Sequence, residues 1–286
     1  MTGNVIIVGA PRSGTNILRD VLTKAQGIAT WPCDEIPMIW RHGNRDVPHD
    51  AFESALATPE VATFIRHEFS KLAKRYKAET IVEKTCATSL RVPFVYRILP
   101  DAKYVFIRRD GVDAAVSAAN RWHAKFDLRY TARKARYIPP TDLPYYALRG
   151  ARAVVSRRGA TTTGPTFDAE WWGPKPQDWR EIGMNHSELE MAFLQWKRCV
   201  DSSIAAFDQI PSEQVHQIVY EEFVADPRTT ISQLLTFLGH ADLMSDDLVG
   251  EVSTSSVGKG RKTLDAGQLS RLEELAGDTL RRLGYA

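Results

Sequence analysis

Gly9 and Gly14 enclose four residues within VIIVGAPRSGTNIL, positions 5–18. That spacing lets backbone N–H groups turn inward around an anion, and a helix beginning at the second glycine points its positive end at the same place. A nucleotide-hydrolysing loop continues with Gly-Lys-Ser/Thr. This one continues Gly14-Thr15-Asn16. With the lysine missing, Arg12 is left to supply the fixed positive charge, and Ser13, Thr15 and Asn16 the hydrogen-bonding side chains. A second motif, YVFIRRDGVDAAVS, covers positions 104–117. A kinase or ATPase often ends such a strand with an acid that helps to hold magnesium. Here the strand ends in Arg108 and Arg109, which suits a second anion rather than a metal. Ser117 follows about two helical turns later.

Both motifs need strands to deliver them and helices to receive them. Val5–Val8 is a short unbroken apolar run, the pattern of a strand buried on both faces. Ile17, Leu18, Val21 and Leu22 follow at helical spacing. Thr58-Pro59 reads as an N-cap and first helical residue, opening a helix to about Tyr76. Strands are expected at Thr80–Val82, Tyr104–Ile107 and Val215–Tyr220. Helices are expected at Leu90–Leu99, from Gly111 to about Trp122, behind a Ser187/Glu190 capping box, from Asp226-Pro227 to Gly239, and after Asp265. Strands alternating with helices imply an α/β fold, a P-loop-type parallel sheet flanked by helices. Residues from about 123 to 186 break that rhythm. They are rich in proline, aromatics and arginine, and read as an insertion or lid over the carboxyl edge of the sheet, within a single domain spanning 1–286.

Of the 286 residues, 43% are hydrophobic and 25% charged, with a formal net charge of +2. That balance is too weak to argue for a nucleic-acid partner. Between Arg121 and Arg158, however, ten Lys/Arg face two acids, which suggests a local anionic ligand. Cys33, Cys86 and Cys199 are widely spaced without a CxxC pair, so neither a disulfide framework nor a zinc site is expected. No signal peptide is evident and no apolar run nears the roughly 18 residues of a membrane span. The expected location is cytoplasmic.

PRSGT followed by Arg-Asp-x-x-Asp-x-x-x-Ser resembles the P-loop-type sulfotransferase family that uses 3′-phosphoadenosine 5′-phosphosulfate (PAPS), in a bacterial-like member. IVEKTCATSLRVPFVYRILPDAKYVFIRRD is similar to the family's Glu-Lys-Thr-Pro segment, with Cys86 in place of the proline. QIVYEEFVADPRTTISQLLTFLG and STSSVGKGRKTL resemble its later strand–helix segment and its C-terminal loop. Gly111 stands where the family often has proline. The resemblance implies that Arg12, Ser13, Gly14, Thr15 and Asn16 bind the 5′-phosphosulfate, and that Arg109 and Ser117 bind the 3′-phosphate. It implies further nucleotide contacts from Tyr220, Ser256, Lys259 and Arg261.

For the chemistry, the same comparison points to Lys84 beside Arg12 at the leaving group. The histidine used by the cytosolic small-molecule branch falls at Cys86. The pattern is closer to the tyrosylprotein branch, whose glutamate aligns with Glu35 in WPCDEIPMIWR. A carboxylate partly removed from water is expected to have a raised pKa and to serve as base. Asp34, Glu83 and His123 are alternatives. A sulfuryl group carries less charge than a phosphoryl group, so fixed cations suffice and no metal is expected. An acceptor hydroxyl on a saccharide or glycan fits a basic, aromatic insertion. A small-molecule kinase with a variant loop, or a non-catalytic nucleotide or polyanion binder, are the competing readings.

Overall fold

The computed structural model of the chain describes residues 3–122, 134–148 and 171–285. Five strands form one sheet: β1 (Gly3–Val8), β2 (Ile28–Ala29), β3 (Thr80–Lys84), β4 (Lys103–Arg108) and β5 (Val215–Val219). Their spatial order is β2-β3-β1-β4-β5, and every pairing is parallel. The expected α/β class is therefore the observed one. β1 sits centrally, so the chain following it emerges between the carboxyl ends of β3 and β4, where open parallel sheets bind ligands.

The helices numbered here, among the described residues, are α1 (Thr15–Thr23), α2 (Pro37–Trp40), α3 (Pro59–Tyr76), α4 (Val92–Ile98), α5 (Gly111–Trp122), α6 (Trp179–Asn185), α7 (Glu188–Phe207), α8 (Tyr220–Ala225), α9 (Pro227–Leu238), α10 (Lys259–Thr263) and α11 (Ala266–Arg282). Their caps follow the sequence signals. The Thr58 hydroxyl accepts the Val61 N–H, and Ser187 with Glu190 closes a reciprocal capping box. Asp226 caps α9, and Gly239 ends it with φ 86°.

β1 shows why an unbroken apolar run was needed. Ile6 and Val8 join one core with α3, α4, α5, α7 and α11. Val5 and Ile7 join a second core, on the other face, with α1, α8 and α9. Alternate side chains enter opposite layers, so neither face can be polar.

One strand was not expected and several boundaries differ, β3 running on to Lys84 among them. β2 has only two residues and carries no alternation to read. The helix expected from Leu90 starts at Val92, with Pro93 in its first turn; Cys86–Leu90 forms a 3₁₀ turn instead. β5 stops at Val219, and Tyr220 opens α8.

Part of the 123–186 stretch, residues 123–133 and 149–170, lies outside the described residues, along with seven of the ten cations counted there. Its C-terminal portion packs against α7. Trp171, Trp179 and Ile182 cluster with Met191 and Leu194, and Gln195 Nε2 donates to the carbonyls of Trp172 and Pro174. Residues 134–148 are held through buried Asp142, which binds His42 Nδ1 at 2.9 Å and Arg45 at 2.7 Å.

Candidate active site

β1 delivers Gly9 to the sheet edge, where close packing explains the glycines. A Cβ on Gly9 would lie 2.7 Å from the Ile107 carbonyl oxygen. Gly14 has φ 90°, and a Cβ there would meet the Tyr220 ring at 2.4 Å. Arg12, between them, also has a positive φ of 67°. For a non-glycine residue this costs on the order of 1 kcal/mol or more and persists only where neighbours hold it. Those neighbours come from the second motif. Arg109 Nη1 donates to the Arg12 carbonyl at 2.9 Å, and Arg12 Nε donates to Ser117 Oγ at 2.9 Å. Two motifs about a hundred residues apart thus form one cluster.

Burial, together with nearby Arg121 and Arg109, draws the Arg12 pKa below its ordinary value. Among the described residues no carboxylate pairs with Arg12. Three polar atoms around the loop are buried without a partner: Ser13 Oγ, Asn16 Oδ1 and Arg109 Nε. Such atoms are costly unless something hydrogen-bonds to them. An anion with several acceptor oxygens would satisfy the Ser13 hydroxyl and the Arg109 Nε–H together.

Arg109 lies over the Tyr220 ring, 4.5 Å from its centroid, and Nη2 donates to the Ser256 carbonyl at 2.6 Å. The Tyr220 hydroxyl is 2.6 Å from Ser256 Oγ. Asp113, buried in the first turn of α5, accepts the N–H groups of Gly258 and Gly260, each at 2.6 Å. The Arg261 guanidinium binds Asp110 at 2.6 Å and the Tyr285 carbonyl, a latch from the C-terminal segment to the residue before α5. Lys259 is exposed at the start of α10.

Lys84 ends β3, level with Ile7 of β1 and hence beside the loop. It is buried, and its Nζ lies 3.1 Å from Glu35 Oε1. The Cys86 N–H donates to that same oxygen at 3.1 Å, and Lys134 approaches Oε2 at 3.6 Å. The raised pKa expected for Glu35 is overturned. Burial pushes it up, but Lys84, Lys134 and the Cys86 N–H outweigh burial and draw it down to about 2. Lys84 responds in the opposite sense: burial lowers its pKa, and the charges around it, Glu35 among them, raise it above its ordinary value. Burial pushes the Cys86 thiol up to about 12, so it stays protonated; its sulfur is 3.9 Å from Thr15 Oγ1. Of the alternative bases, Asp34 is tied to Arg19, and His123 lies outside the described residues. Glu83 carries the raised carboxyl, but points into the core.

Sequence reasoning gave no role to Asp113, Thr85 and Lys134. Asp113 and Thr85 were fixed positions of the Arg-Asp-x-x-Asp and Glu-Lys-Thr motifs, whereas Lys134 was one of ten counted cations, with no signal separating it from a solvated charge. Among the described residues no cluster of His, Cys, Asp and Glu is placed to hold a metal ion, and no helix is long and apolar enough to cross a membrane.

The chain matches the model of the sulfotransferase family over residues 4–153 and 121–243. Comparison with curated protein sequences gives no match. Among solved structures, it resembles the sulfotransferase domain from the curacin biosynthetic pathway, with a TM-score of 0.55 and 14% identity over 100% of this chain and 99% of that one. A Mycobacterium avium sulfotransferase gives a TM-score of 0.53 at 14% identity, covering 98% of this chain and 76% of that one. The sulfotransferase domain of a Synechococcus olefin synthase gives 0.50 at 15% identity, over 97% and 94%. At these identities the likeness is one of fold.

Proposed function

This chain belongs to the sulfotransferase family, and we propose that it transfers a sulfuryl group from PAPS to a carbohydrate hydroxyl. One observation carries the donor assignment: the loop, Arg12, Arg109 and Ser117 are joined by hydrogen bonds into one cluster, and Ser13 Oγ and Arg109 Nε within it have no protein partner. A donor bearing phosphates at both ends of its ribose matches two cationic groups set side by side. The donor supplies the sulfuryl group and a phosphate leaving group.

The chain's own residues then divide the work. The N–H groups of the loop and the Arg12 guanidinium bind the 5′ side, and Arg109 with Ser117 binds the 3′ side. Lys84 neutralises charge growing on the leaving oxygen. Glu35 orients the acceptor hydroxyl and takes its proton as the new O–S bond forms. A carboxyl near 2 is a weak base while Lys84 rests on it. As Lys84 turns to the leaving group, one of the charges holding that pKa down weakens, and Glu35 gains basicity when it is needed. Lys134, drawn from the basic stretch, lies at Glu35 Oε2 and supports an acidic sugar as the acceptor approaching from that side.

Calorimetric titration with 3′,5′-diphosphoadenosine (PAP) tests the donor site. Metal-independent binding, weakened at least about tenfold by Arg109→Ala, is the expected result. Preference for ATP with magnesium overturns the reading in favour of a kinase. Transfer of labelled sulfate to desulfated glycans but not to phenols or peptides is expected in the same preparation, and the reverse pattern removes the carbohydrate assignment.

A further inference from the structure

Successive strand residues face opposite ways. Lys84 therefore turns toward the loop, while Glu83 enters the core beneath Trp40 and Arg91. Glu83 is 1% exposed, and nothing in the transfer reaction uses it. Its Oε1 accepts the Thr85 hydroxyl at 2.5 Å, and its Oε2 is buried without a partner. Thr85 is equally buried and connects back to the site, because its Oγ1 accepts the Ile36 N–H at 3.2 Å.

A threonine hydroxyl has one proton and two lone pairs. With its proton committed to Glu83, Thr85 presents lone pairs to Ile36. The Ile36 N–H belongs to the peptide that joins it to Glu35. The order Glu83, Thr85, Ile36 N–H therefore runs through the core to the backbone of the carboxylate facing the loop. A carboxylate at the far end makes the first bond charge-assisted, about twice as strong as its neutral counterpart.

We propose that Glu83 is a positioning residue for sulfuryl transfer, acting through Thr85 to hold the Glu35–Ile36 peptide and so fix the Glu35 carboxylate for proton removal. This rests on the reading of Glu35 as the base.

The arrangement has a titratable origin. Burial pushes the Glu83 carboxyl up to about 7, against the opposing pull of Thr85, Trp40, Arg91 and Lys84, the groups that face it from α2, from the residue before α4 and from its own strand. Arg91 is itself fully buried, and its guanidinium lies 3.7 Å from Asp50. Above neutrality Glu83 is an anion and holds Thr85 firmly. Below it the bond to Thr85 is neutral and weaker. Glu35, near 2, does not titrate in that range.

The test follows PAP formation from labelled PAPS at saturation, with methyl glucoside supplied and water always present as acceptor. In the wild type the rate falls on the acid side of about pH 7. Glu83→Gln keeps a neutral oxygen to accept from Thr85, as the protonated acid does, and cannot titrate; it is expected to run at the wild type's acid-side rate at every pH, about threefold below wild type at pH 8, and so to lose the acid limb. Thr85→Val keeps the shape without the hydroxyl; the expected result is a rate about tenfold lower with PAP affinity unchanged. A folded Thr85→Val protein with the wild-type rate overturns the proposal, as does a Glu83→Gln protein that keeps the acid limb. Glu35→Gln, run alongside, separates the two readings. Full turnover there removes the base that the relay is meant to hold, whereas loss there with an unaffected Thr85→Val removes the relay alone.

Discussion

Lys84 and Glu35 are the pair on which the proposed chemistry turns, because each sets the other's protonation. The lysine helps to keep the carboxylate ionised, and the carboxylate helps to keep a buried ammonium charged. Lysine in such surroundings would otherwise tend to lose its proton. Replacing Glu35 by Gln should lower sulfuryl transfer by about a hundredfold or more, the usual scale of losing a positioned base. PAP affinity should change little, since Glu35 makes none of the proposed nucleotide contacts. Transfer rates with calorimetry on the same protein check this, and an unchanged rate takes Glu35 out of the chemistry. Arg12 was legible from the loop alone, because no other cation stands between the glycines. The direction of the Glu35 pKa was not, because it depends on Lys84 and Lys134, forty-nine and ninety-nine positions away along the chain.

At the scale of elements, the C-terminal loop is tied to Arg109 and to α5. Asp113, one turn into α5, binds two backbone N–H groups flanking Lys259 and lies 3.5 Å from Arg109. Gly260 is glycine because a Cβ would come within 2.7 Å of the Asp113 Cα. Gly111 is explained in the same way by Trp196 of α7, whose ring would be 2.6 Å from an added Cβ. The C-terminal loop, α5 and Arg109 therefore form one unit, and loosening the latch should be felt by the nucleotide. Asp113→Asn weakens two charge-assisted bonds, and the expected cost is roughly tenfold in PAP affinity, with faster proteolytic cleavage within residues 253–261. Unchanged affinity together with unchanged cleavage counts against the latch. The quoted motif contained Asp113, but nothing in its spacing said that its partners lie nearly 150 residues later.

For the whole molecule, two carboxyls on either side of β3 give stability opposite pH trends. Glu83 has a folded pKa of about 7, above its ordinary 4.5. Between those values the folded chain keeps a proton that the unfolded chain releases, so stability falls as pH rises. Glu35, depressed to about 2, contributes stability that is present above its ordinary value and lost as pH falls through about 2. Urea unfolding at pH 5 and pH 8 should therefore show wild type losing ground to Glu83→Gln by a few kcal/mol, on the order of 3. Parallel curves would remove the buried-proton account. The same ionisation that is proposed to tighten the site costs the fold. The sequence by itself determined the strand–helix alternation, the loop, its substitute arginine and the family, because periodicity, caps and glycine spacing act over short separations. Only the tertiary structure decided that Arg12 meets Ser117, that Arg261 belongs to a latch, and that the raised carboxyl is Glu83 rather than Glu35. Those outcomes depend on register between strands and on charges brought close by folding, and neither is written in neighbouring residues.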